Sequence, residues 1–258
     1  MSVVVSEDPP SGQDSLDLRH FVRRPIPLPT KEVPRPFTQY LLDYAPDTWR
    51  QYIHHPFITR LARGDLPLKS FLHFITQDYH YLKHYARVFA LGVYKSDTIQ
   101  QITANTEMIS STLEETALHV KYCETHGISL QQLLSTPESL ANVAYSRWLI
   151  DTGLRGDSLD LQVATTPCLI GYGLIGARLL VATEGVDKSE QNPYWSWIAQ
   201  YGNPKFQAAV QTGTDTLETL ALDSSLSAAR LQHVVQIFVR AVELEIAFWD
   251  EAMAANDK

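Results

Sequence analysis

The sequence predicts an all-α fold, an antiparallel bundle of long helices joined mostly by short connections. Two observations carry this reading. Apolar and aromatic side chains recur at three- and four-residue spacing through most of the chain, and no segment shows the two-residue alternation of a half-buried strand. With 258 residues, of which 45% are hydrophobic and 19% charged, the chain is long enough to close one sizeable core.

Taken in order, residues 1–36 read as an extended lead-in. The run Pro25, Pro27, Pro29, Pro34 and Pro36 fixes φ at each proline and biases each preceding residue away from helix. The folded domain is expected over residues 37–258. A first helix fits about 47–63 and ends at the turn Gly64-Asp65-Leu66-Pro67. Residues 68–96 form one long helix, with apolar or aromatic side chains at 71, 74, 75, 81, 82, 85, 88 and 89 on one face. Further helices fit about 98–125, 137–152, 167–183, 189–200, 204–222 and 226–255. Thr136-Pro137-Glu138 is expected to open the 137–152 helix and Gly153 to close it.

The net charge of -8 and the absence of basic clusters argue against nucleic acid or an anionic membrane as partner. The most apolar stretch, Pro167 to Thr183, contains Arg178 and is shorter than a membrane span. Only two cysteines occur, Cys123 and Cys168, so a disulfide framework is not expected. No secretory leader is legible, and the expected compartment is a reducing cytoplasm.

Three polar residues stand where a core residue is expected. Asp78 lies in the stripe Phe71, Phe74/Ile75, Asp78, Tyr81/Leu82, Tyr85, Phe89, so its carboxylate should face the interior, where it needs a partner. It could tie two helices together or accept hydrogen bonds from a small polar ligand. Glu245 interrupts the face Val234, Phe238, Ala241, Phe248, while Glu243 lies about 200° away and should be solvated. A desolvated glutamate has a raised pKa, which suits a general acid; an interhelical ion pair to Arg147 or Arg178 is the structural alternative. Cys168 follows Thr166-Pro167, a sequence that reads as a helix start, where backbone N–H groups would favour a thiolate. A lone cysteine can equally pack as a small hydrophobe, the role expected of Cys123. Gly171, Gly173 and Gly176 should keep that helix thin for close approach by a neighbour or ligand.

Other features carry less. Glu115 and His119 are one helical turn apart and read as a surface pair before a metal site. No Glu-x-x-His, phosphate loop, dinucleotide fingerprint or Gly-x-Ser-x-Gly elbow occurs, which leaves a di-iron oxidase little support. His54-His55 before Pro56 read as surface histidines at a helix break.

The segments FITQDYHYLKHYAR (Phe74 to Arg87), VAYSRWL around Tyr145, TTPCLIGYGLIG (Thr165 to Gly176), IAQYGNP (Ile198 to Pro204) and VELEIAFWDEAM (Val242 to Met253) resemble, in this order and spacing, the thiaminase II (TenA-like) family, in its cysteine-containing branch. The resemblance covers the chain from about Phe37 onward. It implies a haem-oxygenase-like helical bundle, usually a homotetramer, with no cofactor and no metal. It also implies hydrolysis of 4-amino-5-aminomethyl-2-methylpyrimidine to the hydroxymethylpyrimidine with release of ammonia, with thiamin as a further cleavable substrate. Position by position, Cys168 falls on the family's nucleophile, Glu245 on its acid/base and Asp78 on its pyrimidine anchor. Tyr81, Tyr145, Tyr172, Tyr201 and Phe248 fall on residues lining the substrate pocket. The segment RRPIPLPTKEVPRPFTQYLL resembles the linker before this domain in fungal hydroxymethylpyrimidine kinase/thiaminase fusions. A non-catalytic pyrimidine-binding protein is the alternative function.

Overall fold

The computed structural model describes residues 36–182, 188–224 and 226–257; apart from Pro36, the proline-rich lead-in lies outside the described residues. Among these residues there are twelve α-helices and no strand.

The helix expected over about 47–63 is two, and a further helix precedes them. Phe37–Tyr44 (α1), Pro46–Ile53 (α2) and Pro56–Arg63 (α3) are separate because Pro46 and Pro56 each restart the chain at a first helical turn. His55 is not the surface residue the sequence suggested: it is buried, its Nδ1 accepts from Phe57 N at 3.2 Å and its Nε2 meets Asp250 at 3.1 Å. Gly64, at φ 76, closes α3 as a left-handed cap, in the turn expected there. The buried carboxylate of Glu218 accepts from Phe37 N at 2.9 Å and Thr38 N at 2.8 Å, which satisfies the first turn of α1.

Leu68–Lys95 (α4) is the long helix read from the sequence, and it packs on Ile99–Thr125 (α5), which begins at a Thr98/Gln101 capping box. The short Leu130–Ser135 (α6) was not foreseen. Leu140–Arg155 (α7) starts later than expected, because Ser139 rather than Thr136 is the cap, and it runs through Gly153 to Gly156. Gly153 packs there against Leu161, where a Cβ would lie 2.6 Å from its Cδ1. Gln77 and Asn142 lock α7 onto α4. Asn142 donates to Gln77 O at 2.7 Å, and Ser139 N donates to Gln77 Oε1 at 2.8 Å. This register sets Tyr145, one turn further along α7, inside the bundle.

The largest departure concerns Cys168. The helix does not begin at Pro167: an Asp157/Asp160 capping box starts Ser158–Thr166 (α8), a π-helical turn spans Pro167–Gly171, and Tyr172–Ala182 (α9) continues it. Proline removes an N–H from a helix interior, and a wider turn accommodates that loss. Two tyrosines satisfy carbonyls of this stretch. Tyr85 donates to Thr165 O at 3.0 Å and Tyr52 to Pro167 O at 3.1 Å. The continuous run Ser158–Ala182 is therefore long and apolar enough to cross a membrane, contrary to the shorter segment expected, but two-thirds of its most apolar window is buried inside the bundle. It is packed by α7, by Pro204–Asp223 (α11) and by Ala228–Ala254 (α12). Trp195–Gly202 (α10) lies against α9, where Gly176 meets the backbone of Tyr201.

Candidate active site

The π turn projects Cys168 into the centre of the bundle, and residues from α4, α5, α7, α10 and α12 gather around it. A small cavity of about 20 Å³, the volume of about one water, is lined by Asp78, Glu115, Cys168, Tyr172 and Tyr201, with Met108, Ser111, Thr112 and Phe206 among its other walls. A wider surface groove of about 730 Å³ runs past Tyr44, Trp148, His233 and Arg240, and it contains none of these groups.

On one side of the sulfur stands Glu245, only 2% exposed. Tyr145 donates to its Oε1 at 2.8 Å. The arginines named as its alternative partners are engaged elsewhere: Arg147 with Glu138 at 2.5 Å and Arg178 with Ile53 O at 2.6 Å. Burial pushes the Glu245 carboxyl up from 4.5 to about 8; the Asp78 charge adds to this, and the hydrogen bonds from Tyr145 and Cys168 oppose it. Glu243 is half exposed and pairs with Arg240, as its position on the helix required.

On the other side, His119 Nε2 lies 2.7 Å from Asp78 Oδ2, and its Nδ1 lies 2.9 Å from Glu115 O. A backbone carbonyl only accepts, so Nδ1 carries a proton, and a further proton lies in the hydrogen bond between Nε2 and the Asp78 carboxyl. Burial works against that proton, but the Asp78 hydrogen bond and the charges of Asp78 and Glu115 prevail, and the His119 pKa is raised. Tyr201 donates to Glu115 Oε1. Burial lifts the Glu115 carboxyl to about 7; His119 and the Tyr201 bond pull it down, while Asp78 adds to the rise.

The Glu115–His119 pair is thus not the surface pair the sequence suggested. The signal was present: Met108, Thr112, Glu115, His119 and Cys123 recur at four, three, four and four residues and form the inward face of α5. One donor atom from each of Asp78, Glu115 and His119 lies within 4.8 Å of the others, close enough to hold a metal ion. The two ring nitrogens of His119 are already engaged, by Asp78 and by the Glu115 backbone carbonyl.

Cys168 shows the consequence of sitting mid-helix. Burial raises its thiol well above the ordinary value; the charges of Glu245, Asp78 and Glu115 raise it further, and only the Tyr81 hydroxyl pulls it back. The helix-start activation expected from Thr166-Pro167 is absent, because helical residues precede the cysteine and use the backbone N–H groups. Cys123, by contrast, is fully buried in the core.

The chain matches the TENA/THI-4/PQQC family over residues 43–255. The chain belongs to this family. An aminopyrimidine aminohydrolase of Halalkalibacterium halodurans is 31% identical over 86% of this chain and 96% of its own length. The hydroxymethylpyrimidine/phosphomethylpyrimidine kinase THI20 of Saccharomyces cerevisiae is 30% identical over 84% of this chain, which spans only 39% of that protein. A solved structure of a TenA family transcription regulator from Silicibacter sp. superposes with a TM-score of 0.77 at 37% identity, covering 84% of this chain and 96% of that one. The expected haem-oxygenase-like fold is present: a Shewanella denitrificans domain described as having it superposes with a TM-score of 0.67, at 15% identity over 85% of this chain and 93% of that one.

In this TenA-family chain, the residues singled out in the sequence form two layers. Cys168, Asp78, Tyr172 and Tyr201 line the small cavity; outside it, Glu245 and Tyr81 meet the thiol of Cys168, and Tyr145 and Phe248 pack on Tyr81. There the Tyr81 ring lies 4.9 Å from that of Tyr145 and 5.9 Å from that of Phe248. Sequence reasoning missed Glu115 and His119, and it missed Tyr52 and Tyr85 as the clamps of the π turn.

Proposed function

We propose that this protein is a hydrolase of thiamin salvage that converts 4-amino-5-aminomethyl-2-methylpyrimidine to the hydroxymethylpyrimidine and ammonia, and that can cleave thiamin at the same carbon. The observation that carries the proposal is the convergence of Cys168, Asp78 and Glu245, from three separate helices, on one aromatic-walled site. Relatives named aminopyrimidine aminohydrolase support the substrate class. Resemblance to the family also points to a homotetramer.

Asp78, fixed by His119, accepts from the amino-pyrimidine edge, and the surrounding rings stack on the heterocycle. A pyrimidine needs more room than one water, so the cavity has to widen on binding. The substrate's arm is an ammonium near neutral pH. Its charge favours the ionised form of Glu245, which then accepts the Cys168 S–H proton as sulfur adds to the neighbouring ring carbon. The ring's electrons expel ammonia, to which Glu245 returns that proton, leaving an exocyclic methide on the sulfur-bound ring. Water adds to the methide as Glu245 takes its proton. Expulsion of the thiolate restores aromaticity, and Glu245 reprotonates the sulfur. The net change is one substrate cation and one water to the alcohol and ammonium.

Replacing Cys168 with serine in a folded protein should abolish ammonia release while retaining pyrimidine binding. Turnover like that of the unmodified protein would remove the nucleophile assignment.

A further inference from the structure

Resting on the hydrolase reading above, we propose that Glu115 determines specificity by receiving the cationic arm of the substrate, so that pyrimidines bearing an ammonium or azolium are bound in preference to neutral ones.

Three observations lead there. First, the carboxylates of the site are unequally engaged. Asp78 is held by His119 at 2.7 Å. Glu245 is sealed behind the sulfur at 2% exposure and does not line the cavity. Glu115 is the remaining carboxylate on the cavity wall.

Second, Glu115 stands on the inward face of α5 and still keeps partial exposure. Its cavity neighbour Ser111 does so too, and the adjoining Glu114 is exposed. Cys168 is the other reactive group of the cavity that keeps partial exposure. On this proposal the arm leaves the carbon next to the one that meets Cys168, with its breaking bond beside Glu245 and its outer end, such as an azolium ring, toward Glu115.

Third, the carboxylate is held in place. Tyr201, 1% exposed and rigidly packed between Tyr172, Trp197 and Phe206, fixes Oε1 and leaves Oε2 uncommitted among the described hydrogen bonds. A group that only stabilised the fold would not need a position on the cavity wall. A cation there gains a charge-assisted hydrogen bond to a preorganised acceptor, and its approach favours the ionised form of Glu115.

The test is Glu115→Gln, which keeps the volume and an oxygen to accept from Tyr201. Calorimetric affinities for the cationic aminomethylpyrimidine, measured in a Cys168→Ser background to prevent turnover, are compared with those for the neutral hydroxymethylpyrimidine. The expected result is loss of affinity for the cation by about tenfold or more, with affinity for the neutral compound unchanged. Glu115→Asp, which retains the charge, should recover part of the preference. Equal weakening toward both compounds would mark Glu115 as structural and overturn the proposal, as would unchanged affinity for both. If the unsubstituted protein discriminates by charge but releases no ammonia, the hydrolase reading fails while the assignment of Glu115 stands. If it binds neither pyrimidine, both fail.

Discussion

Glu245→Gln should make the protein more stable at neutral and mildly alkaline pH while removing most of its turnover. In the unfolded chain a glutamate loses its proton near 4.5; in the folded protein Glu245 holds it until about 8, because burial and the Asp78 charge outweigh the hydrogen bonds from Tyr145 and Cys168. Below pH 4.5 both states carry the proton and the residue adds no pH-dependent cost. Between 4.5 and 8 the folded state must retain a proton that the unfolded state has released, so the stability associated with Glu245 is lost as pH rises through that window. At 1.36 kcal/mol per pKa unit the cost reaches up to about 5 kcal/mol above pH 8. Glutamine is neutral throughout, nearly the same shape, and still offers an oxygen to the Tyr145 hydroxyl. Urea unfolding of both proteins at pH 5, 7 and 8.5, followed by far-ultraviolet circular dichroism, reads the difference directly. The variant's advantage should be near zero at the acid end and grow steadily toward pH 8.5. A difference that does not change with pH would refute the account of Glu245 as a desolvated acid, and full turnover in the variant would refute its role in proton transfer.

Two further perturbations test other parts of the site. In Gly171→Ala the new Cβ would lie 2.3 Å from Tyr52 Cε1 and 2.6 Å from its hydroxyl, and Tyr52 is stacked on Trp249 at a 4.9 Å ring separation. The expected result is a loss of about 1–3 kcal/mol in urea unfolding together with reduced ammonia release; a normal protein would show that Tyr52 does not clamp the π turn. Cys123→Ala should retain full turnover and lose about 1 kcal/mol, since it empties a small part of the core. The remaining thiol, Cys168, should then alkylate slowly at neutral pH and faster as pH rises, because burial and three nearby carboxylates disfavour its thiolate. Rapid alkylation at pH 6 would contradict that environment.

What the sequence made legible follows from which physical signals are local. Asp78 and Glu245 could be read because each replaces an apolar side chain on a strongly striped helix, where periodicity alone points inward. Glu115 and His119 could not be read as readily: exposed Leu113 and Leu118 lie beside them, so the apolar residues of α5 do not single out its buried face. Thr166-Pro167 misled for a different reason. A proline in a helix usually marks its first turn, and nothing near it in sequence reveals the compensation, which comes from Tyr85 and Tyr52, 80 and 115 residues away. The same distance effect explains the late start of α7, whose cap Ser139 is held by Gln77 and Glu251 from other helices. Caps and kinks are settled by tertiary partners, whereas an amphipathic stripe is settled within its own helix.

The correction at Cys168 changes how the site has to work. A thiol at a helix start would be poised as a thiolate before any ligand arrived. A thiol in the middle of a helical run, surrounded by Glu245, Asp78 and Glu115, rests neutral. On the hydrolase reading this is useful, since the substrate itself brings the missing positive charge. A cation on the pyrimidine's arm offsets the carboxylates that hold the sulfur's proton in place, and it favours ionised Glu245, the base that removes that proton. Recognition and activation then share one cause. A neutral pyrimidine of the same shape, including the alcohol product, fills the site without switching the nucleophile on, so the product is not driven back through the covalent adduct. The raised pKa of Cys168 is on this view a safeguard on the chemistry.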